Sequence, residues 1–264
     1  MLIRNEYFTI KEFIKALWTW KQGWINHLWF MGTLICIYCL FPILKLCYDT
    51  NKKIFYYFVI LCALLTFGNK LLCEISTLIA SFMFDYRKEI NVNLFNMFNP
   101  IRGIYGYSIV YFCCGGIIYN YIDKIKQHHN TINTLAFFTI IFNMSLLFAY
   151  GYYISCLTGK WWDVVWNGYD TIFTFSNVIS IFILSLNLND LNSFFSYFIR
   201  IISLNTLGIY FLHGIYINLT ISHVRQIPFA NNIICDFIYA IIIAMICLIT
   251  ITFIKKIPLI KNLL

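Results

Sequence analysis

One histidine lies deep in an apolar stretch near the C-terminal end of the chain. Residues 201–222 contain no Lys, Arg, Asp or Glu, and Arg200 and Arg225 bracket them. His213 is therefore about 12 residues, or ~18 Å of helix, from either charge. Imidazole exchanges a proton near neutral pH, so an ionisable group at that depth indicates a functional site or a buried polar contact. Little else ionisable lies inside the apolar runs.

The residues around His213 repeat with the period of a helix. Its face is shared by polar side chains spaced three or four residues apart, namely Thr206, Tyr210, Tyr216 and Thr220. Gly208 and Gly214 would let a neighbouring helix approach closely. We expect this polar stripe to face the interior of a helical bundle. It is either a catalytic or substrate-binding group or a set of hydrogen bonds that stabilises the bundle.

Two further side chains stand where a span begins. His27 and Trp29 open the first full apolar run, and His27 at this interface is either functional or solvated. Arg102 precedes a later run. Its guanidinium is placed either to meet an anionic substrate or phosphate headgroup, or to act as a snorkelling anchor.

Residues 160–170 form an aromatic and acidic loop. It contains Trp161, Trp162, Asp163, Trp166, Tyr169 and Asp170. Such a surface can hold sugars by stacking, and it is equally the composition of an interfacial aromatic belt. Metal and redox chemistry are not expected. Cys36 and Cys39 form a C-x-x-C on a continuous apolar helix, with no second pair or His nearby.

Composition defines the scaffold that must position these residues. The 264 residues are 61% apolar and 11% charged, whereas soluble domains carry roughly 25% charged residues. We predict an all-α, polytopic transmembrane bundle of about seven to eight helices in a single membrane domain, 1–264. An amphipathic segment, 1–27, would precede spans near 28–48, 54–68, 104–122, 134–154, 171–188, 203–221 and 232–254. A 14-residue stretch, 71–84, contains Glu74 and is expected to be interfacial or partly re-entrant.

The basic residues are scattered singly at helix ends, as membrane topology requires. The net charge of +8 therefore says little about nucleic acid. The expected partner is a lipid bilayer, and no nucleic acid is expected. Lys and Arg are balanced when all connections are counted. Counted over the tight turns alone, they favour a cytoplasmic C-terminus, on the same side as Lys52, Lys53, Lys124 and Lys126.

Three motifs in order resemble the acyltransferase 3 family, the integral membrane acyltransferases of cell-envelope polysaccharides and similar glycans. The first is His27-Leu28-Trp29-Phe30 followed by IYCLFPIL at 37–44. The second is YFCCG at 111–115, and the third is SLNTLGIYFLH at 203–213. The resemblance covers nearly the whole chain, and His213 ends its last motif.

The resemblance implies a multi-pass enzyme of the cell (inner) membrane. Such an enzyme transfers an acyl group, with acetyl as the expected one, from a donor such as acetyl-CoA to a hydroxyl of an envelope polysaccharide or glycolipid. No bound cofactor is implied. The candidate catalytic residues are His213 and His27. The candidate substrate-binding residues are Trp29, Arg102, Tyr210, Tyr216, Trp162 and Asp163.

The sequence departs from the family at its front. Members usually begin with a helix bearing an Arg or Asp-Arg pair and, further on, a histidine tied to acyl transfer. Nothing before residue 28 matches that helix, so the chain is similar to the last two-thirds of such an enzyme. Two alternatives therefore stay open: a truncated, inactive remnant of the family, and an envelope-glycan transporter, flippase or polymerase.

Overall fold

A computed structural model describes residues 29–92, 106–159, 168–186, 193–226 and 232–256. Their helices, in chain order, are α1 Trp29–Thr50, α2 Lys52–Ala63, α3 Asn69–Phe84, α4 Tyr107–Asn120, α5 Ile122–Gln127, α6 His129–Thr158, α7 Ile172–Leu186, α8 Ser193–Leu204, α9 Thr206–Val224 and α10 Ile233–Ile254. A π-helical turn, Leu64–Gly68, joins α2 to α3. No strand occurs in these ranges, which confirms the predicted all-α class.

Five helices in the described part of the chain are long and apolar enough to cross a membrane. They are Gly32–Thr50, Lys52–Phe84, His129–Thr158, Thr206–Val224 and Ile234–Ile254. Shorter apolar helices, Ile172–Leu186 and Phe195–Leu204, accompany them. The protein is therefore a multi-pass helical membrane protein, and the predicted number of about seven to eight spans stays approximate.

The helix from Lys52 to Phe84 differs from the prediction. The sequence predicted a short span near 54–68 and a separate 14-residue stretch at 71–84 that contains Glu74. Instead the chain continues through the π-helical turn as one helix of 33 residues. At ~1.5 Å per residue this helix is about 50 Å long, well beyond the ~30 Å hydrocarbon core of a bilayer.

The chain divides into two compact units. The central unit is Thr33–Asn189, and the terminal unit combines Met1–Gly32 with Asp190–Leu264. In the central unit α4 packs against α2, and its core includes Phe55, Val59, Cys62, Phe67 and Val110. α6 packs along α7, and buried Asn143 donates to Oδ1 of buried Asn177 between them at 3.1 Å.

The central unit has two chemically different ends. One end holds Lys45, Lys52, Lys53, Lys124 and Lys126 at helix termini and turns. Tyr56 of α2 and Tyr121 at the end of α4 interact electrostatically there. At the opposite end, Tyr153 at the far end of α6 hydrogen-bonds Ser81 of α3 at 2.8 Å. We call the first the lysine end and the second the acidic end, for the carboxylates described below.

The terminal unit is built from α8, α9 and α10. α8 ends at Leu204, and a turn at Asn205 separates it from α9, so the predicted span near 203–221 begins at Thr206. Lys255 caps the end of α8 by donating from Nζ to the Leu204 carbonyl at 3.3 Å. Gly208 lies against fully buried Ile251 of α10. A Cβ at Gly208 would be 2.9 Å from both Cδ1 and Cγ1 of Ile251, so glycine permits this close crossing, as the sequence predicted.

Candidate functional site

His213 is partly buried on α9 and has one ring nitrogen fixed by its own helix. Its Nδ1 lies 2.6 Å from the Tyr210 carbonyl oxygen. A backbone carbonyl can only accept, so Nδ1 carries the hydrogen and donates it. The neutral imidazole then has its basic lone pair on Nε2. The local backbone thus selects the tautomer in which Nε2 can act as a base.

Tyr210 supplies an aromatic wall beside this imidazole. Its ring centroid lies 5.6 Å from that of His213, with an angle of 44° between the rings. The Phe30 ring meets Tyr210 edge-on at 5.6 Å, and the Phe211 ring meets it at 6.1 Å. The predicted neighbours His213 and Tyr210 are therefore brought together, and Phe30 is a third member that the sequence reasoning did not single out.

The other half of the polar stripe bonds to α10. Thr250 Oγ1 donates to the Ile246 carbonyl, so the 2.8 Å contact with Tyr216 must have the Tyr216 hydroxyl as donor. Thr220 repeats the pattern, because it donates to the Tyr216 carbonyl and so accepts from the Tyr239 hydroxyl at 2.8 Å. The donor and the acceptor of each of these hydrogen bonds are therefore fixed, and this half of the polar stripe joins α9 to α10.

The structure describes only part of the remaining predicted site residues. Trp29 begins α1, and its side chain lies outside the description. His27, Arg102, Trp162 and Asp163 lie outside the described residues altogether. Of the aromatic and acidic loop at 160–170, the structure describes Gly168, Tyr169 and Asp170, which precede α7.

A second polar face, on α3, was missed by the sequence reasoning. Lys70, Glu74, Thr77 and Ser81 are spaced by four, three and four residues and share one side of the helix. Glu74 is 8% exposed and Thr77 2%. This spacing was readable in the sequence, but Glu74 was assigned to a short interfacial stretch. The continuous helix makes it a buried carboxylate instead.

The part of this face around Thr77 binds the chain segment that follows α3. After the left-handed Asp85 (φ 47°), the backbone runs back beside α3. Ile90 N–H donates to Thr77 Oγ1 at 3.0 Å, and Val92 N–H donates to Cys73 Sγ at 3.2 Å. Thr77 also donates to the Cys73 carbonyl. Thr77 and Cys73 are therefore fully engaged.

The part of this face around Lys70 and Glu74 carries charges without matching hydrogen bonds among the described residues. Glu74 interacts electrostatically with Lys70 and Asp170, yet among the described residues no hydrogen bond or ion pair within 4.0 Å joins it to another side chain. Burial raises the pKa of Asp170, and nearby Lys70 partly opposes that rise. Oδ1 of Asp170 and Oδ1 of Asn69 are buried acceptors that no donor in the described structure reaches.

Aromatic side chains surround Asp170. The rings of Tyr107 and Tyr169 are stacked with centroids 6.5 Å apart, and Tyr111 donates its hydroxyl hydrogen to the Tyr169 carbonyl at 3.0 Å. Tyr111 also interacts electrostatically with Asp170, and its ring meets Phe175 edge-on at 5.0 Å. The three-residue turn Gly168–Asp170 is thus held against α4 and the start of α7. In the described residues, no group of three or more His, Cys, Asp or Glu side chains is arranged to hold a metal ion.

The sequence matches the acyltransferase 3 family, described as an acyltransferase domain, over residues 1–254. The chain therefore belongs to the acyltransferase 3 family, which fits a multi-pass membrane acyltransferase. Comparisons with curated proteins and with solved structures gave no match.

Proposed function

We propose that the protein is a membrane-bound O-acyltransferase that transfers an acyl group, with acetyl as the expected one, to a hydroxyl of a cell-envelope polysaccharide or glycolipid. The observation that carries this proposal is the His213 hydrogen bond, because the 2.6 Å contact of Nδ1 with the Tyr210 carbonyl places the basic lone pair on Nε2. Family membership supplies the reaction class. The donor would be a thioester such as acetyl-CoA.

His213 acts as the general base in this reaction. Nε2 takes the proton of the acceptor hydroxyl as its oxygen attacks the thioester carbonyl, and a tetrahedral oxyanion forms. The C–S bond then breaks, and the imidazolium returns the proton to the departing thiolate. The products are the O-acyl glycan and the free thiol, and the histidine is regenerated.

Two features favour His213 for this step. The donated Nδ1–H stabilises the imidazolium that forms when Nε2 accepts a proton, because the carbonyl dipole faces the positive ring. The Tyr210 ring beside the imidazole limits its rotation. A base held in one tautomer and one orientation loses little entropy on reaching the transition state.

The test is the acylation of envelope polysaccharide in cells that carry His213→Ala in place of the wild-type gene. A general base contributes about 10²–10⁴-fold to rate, so acylation should fall to the level of the gene deletion. The matched control is His223→Ala, which removes an exposed histidine near the end of the same helix. That variant should retain wild-type acylation.

Membrane insertion of both variants is measured by the amount of protein in the membrane fraction. Unchanged acylation in a normally inserted His213→Ala variant would show that His213 is not the base. A deletion strain that keeps its acylation but loses glycan export would replace the acyltransferase proposal with the transporter alternative.

A further inference from the structure

The charged face of α3 lies at a definite height in the central unit. Glu74 follows Lys53 by about 21 residues, or ~32 Å of helix. Tyr150 follows His129 by the same number along α6 and reaches the same height independently. Tyr150 and Glu74 interact electrostatically, in agreement with the equal heights above the lysine end that the two residue counts give. Glu74 is therefore one hydrocarbon thickness, ~30 Å, away from the lysine end.

The positions of the lysines indicate which side of the membrane the acidic end faces. Lys45, Lys52, Lys53, Lys124 and Lys126 are concentrated at the other end of the same helices. Short cytoplasmic connections carry the excess of Lys in membrane proteins. Lys70, Arg87 and Lys88 lie at the acidic end, so the bias is present only over the tight turns. On that count we take the acidic end to face the non-cytoplasmic side, where the polysaccharides of a cell envelope are found.

The acidic end offers hydrogen-bond acceptors that no donor reaches in the part of the chain that the structure describes. Glu74 is 8% exposed and has no hydrogen bond among the described residues. Oδ1 of Asp170 is buried and also unmatched, as is Oδ1 of Asn69, little more than one turn before Glu74. Such groups cost free energy in the folded protein. They stabilise a structure only when a donor-rich molecule joins it.

The chemistry of these groups selects the ligand. Ionised carboxylates accept hydrogen bonds and never donate, so the partner must present several O–H or N–H groups. Lys70 balances one of the two negative charges without contacting either carboxylate within 4.0 Å. Tyr169, next in sequence to Asp170, is 47% exposed. A sugar ring has hydroxyls for the carboxylates and C–H faces that pack on aromatic rings by dispersion.

We propose that Glu74 and Asp170, with Asn69, form a sugar-binding subsite for the glycan acceptor at the non-cytoplasmic end of the central unit. This rests on the proposed function for the identity of the glycan as acceptor. The carboxylates accept from sugar hydroxyls, Lys70 offsets part of their negative charge, and Tyr169 borders the sugar. Glu74 and Asp170 are binding residues here, with no role in proton transfer.

Binding is measured without any acyl donor, so that the subsite is tested separately from the reaction. The probe is envelope polysaccharide that mild alkali has stripped of its ester groups. It is titrated onto the full chain in lipid nanodiscs, and bound polysaccharide is quantified. A charge-assisted hydrogen bond contributes about 1.5–3 kcal/mol, so Glu74→Gln and Asp170→Asn should each raise the half-saturating concentration about tenfold or more.

The matched control is Asp85→Asn. Asp85 follows the end of the same helix, is exposed and, among the described residues, pairs with exposed Arg87 at 3.5 Å. Its left-handed backbone suits Asn as well as Asp. This variant should bind the polysaccharide as the wild type does. In acylation assays Glu74→Gln should raise KM for the polysaccharide and leave kcat nearly unchanged, a split that a purely structural role would not produce.

The outcomes separate the two proposals. Unchanged binding in both Glu74→Gln and Asp170→Asn, or absence of binding to the wild type, overturns the subsite. Loss of binding in these variants, when the wild type transfers no acyl group, supports the subsite and overturns the proposed function. If Glu74→Gln does not fold, Asp170→Asn decides, because Asp170 lies in the turn before α7 and not within a helix.

Discussion

The two polar regions of this protein differ in how completely their hydrogen bonds are satisfied. On α9 and α10, the hydroxyls of Tyr216, Thr220 and Tyr239 each have an assigned partner. On α3 and the turn before α7, Glu74 and Asp170 present acceptors that described donors do not reach. The first region is closed, whereas the second is open.

This difference distinguishes polar groups that stabilise the fold from polar groups that serve binding or chemistry. A closed network adds stability and fixes how two helices pack, so mutation should reduce stability first. An open set of buried charges opposes folding, and a protein retains it for binding or chemistry. At His213, Nδ1 donates to the backbone of its own helix and the basic lone pair is on Nε2. Four variants, from the largest expected effect to the smallest, test this distinction.

Gly208→Ala should be the most damaging change in the closed region. Its Cβ would be 2.9 Å from Cδ1 and Cγ1 of Ile251, and that side chain is fully buried and β-branched, so it has little freedom to move. We expect a loss of about 1–3 kcal/mol, seen as a lower melting temperature of the purified protein. Ile251→Ala removes Cδ1, Cγ1 and Cγ2, the atoms nearest to the added Cβ, so it should cost less stability in the Gly208→Ala background than in the wild type. An equal cost in both backgrounds would refute the close crossing.

Tyr216→Phe should cost less, because it removes one hydrogen bond and no volume from the core. The Tyr216 hydroxyl donates to Thr250 Oγ1 at 2.8 Å, and the loss should be about 1 kcal/mol. Thr250→Val should cost a similar amount. The double variant should cost little more than either single change, because both remove the same bond. Fully additive losses in thermal unfolding would mean that the bond contributes nothing.

Glu74→Gln should act in the opposite direction on stability. Glu74 is buried without a hydrogen bond to any described residue, so replacing its carboxyl group by an amide should leave the melting temperature equal or higher in the absence of glycan. The matched control is Thr77→Val on the same helix face. It removes an acceptor for Ile90 N–H and a donor to the Cys73 carbonyl, and should lower the melting temperature. A melting temperature reduced more by Glu74→Gln than by Thr77→Val would place Glu74 among the structural groups.

Asp170→Asn should have the smallest effect, seen as a change in pH dependence. Burial raises the pKa of Asp170 above its ordinary value of 3.8. The folded state therefore binds this proton more tightly than the unfolded state, and stability declines as pH rises past 3.8 until the folded-state pKa is exceeded. Asn has no such titration. Melting temperatures from about pH 4 to about pH 8 should decline less in the variant, and parallel profiles would contradict this assignment.

Hydropathy predicted the class and most helices, because burial in lipid acts on every residue of a span. It failed at Gly68-Asn69-Lys70, where three residues typical of a turn continue a helix. Local preference is weak, and tertiary packing overrides it. Here Lys70 is placed to interact with Glu74 and Asp170. Hydropathy also failed to predict the break at Asn205, where one polar residue in an apolar run divides α8 from α9.

The candidate site was predictable only where its contacts are local. His213 and Tyr210 are three residues apart, so the helical period was sufficient to pair them. Tyr216 and Thr250 are separated by 34 residues, and Glu74 and Asp170 by a longer interval still. No period within one helix connects such pairs. The face of Lys70, Glu74, Thr77 and Ser81 did have a period, and a continuous helix through residue 70 would have revealed it.

The π-helical turn at Leu64–Gly68 makes the acidic end depend on chain length as well as on composition. A π-helical turn accommodates one residue more than an α-helical turn, and each residue of an α-helix advances the direction of the side chains by about 100°. Deleting a single codon here would keep the order of every residue in α3 and rotate them all together. Lys70 and Glu74 would then turn away from Asp170. A one-residue insertion in an ancestral helix would suffice to bring a charged row into the protein interior.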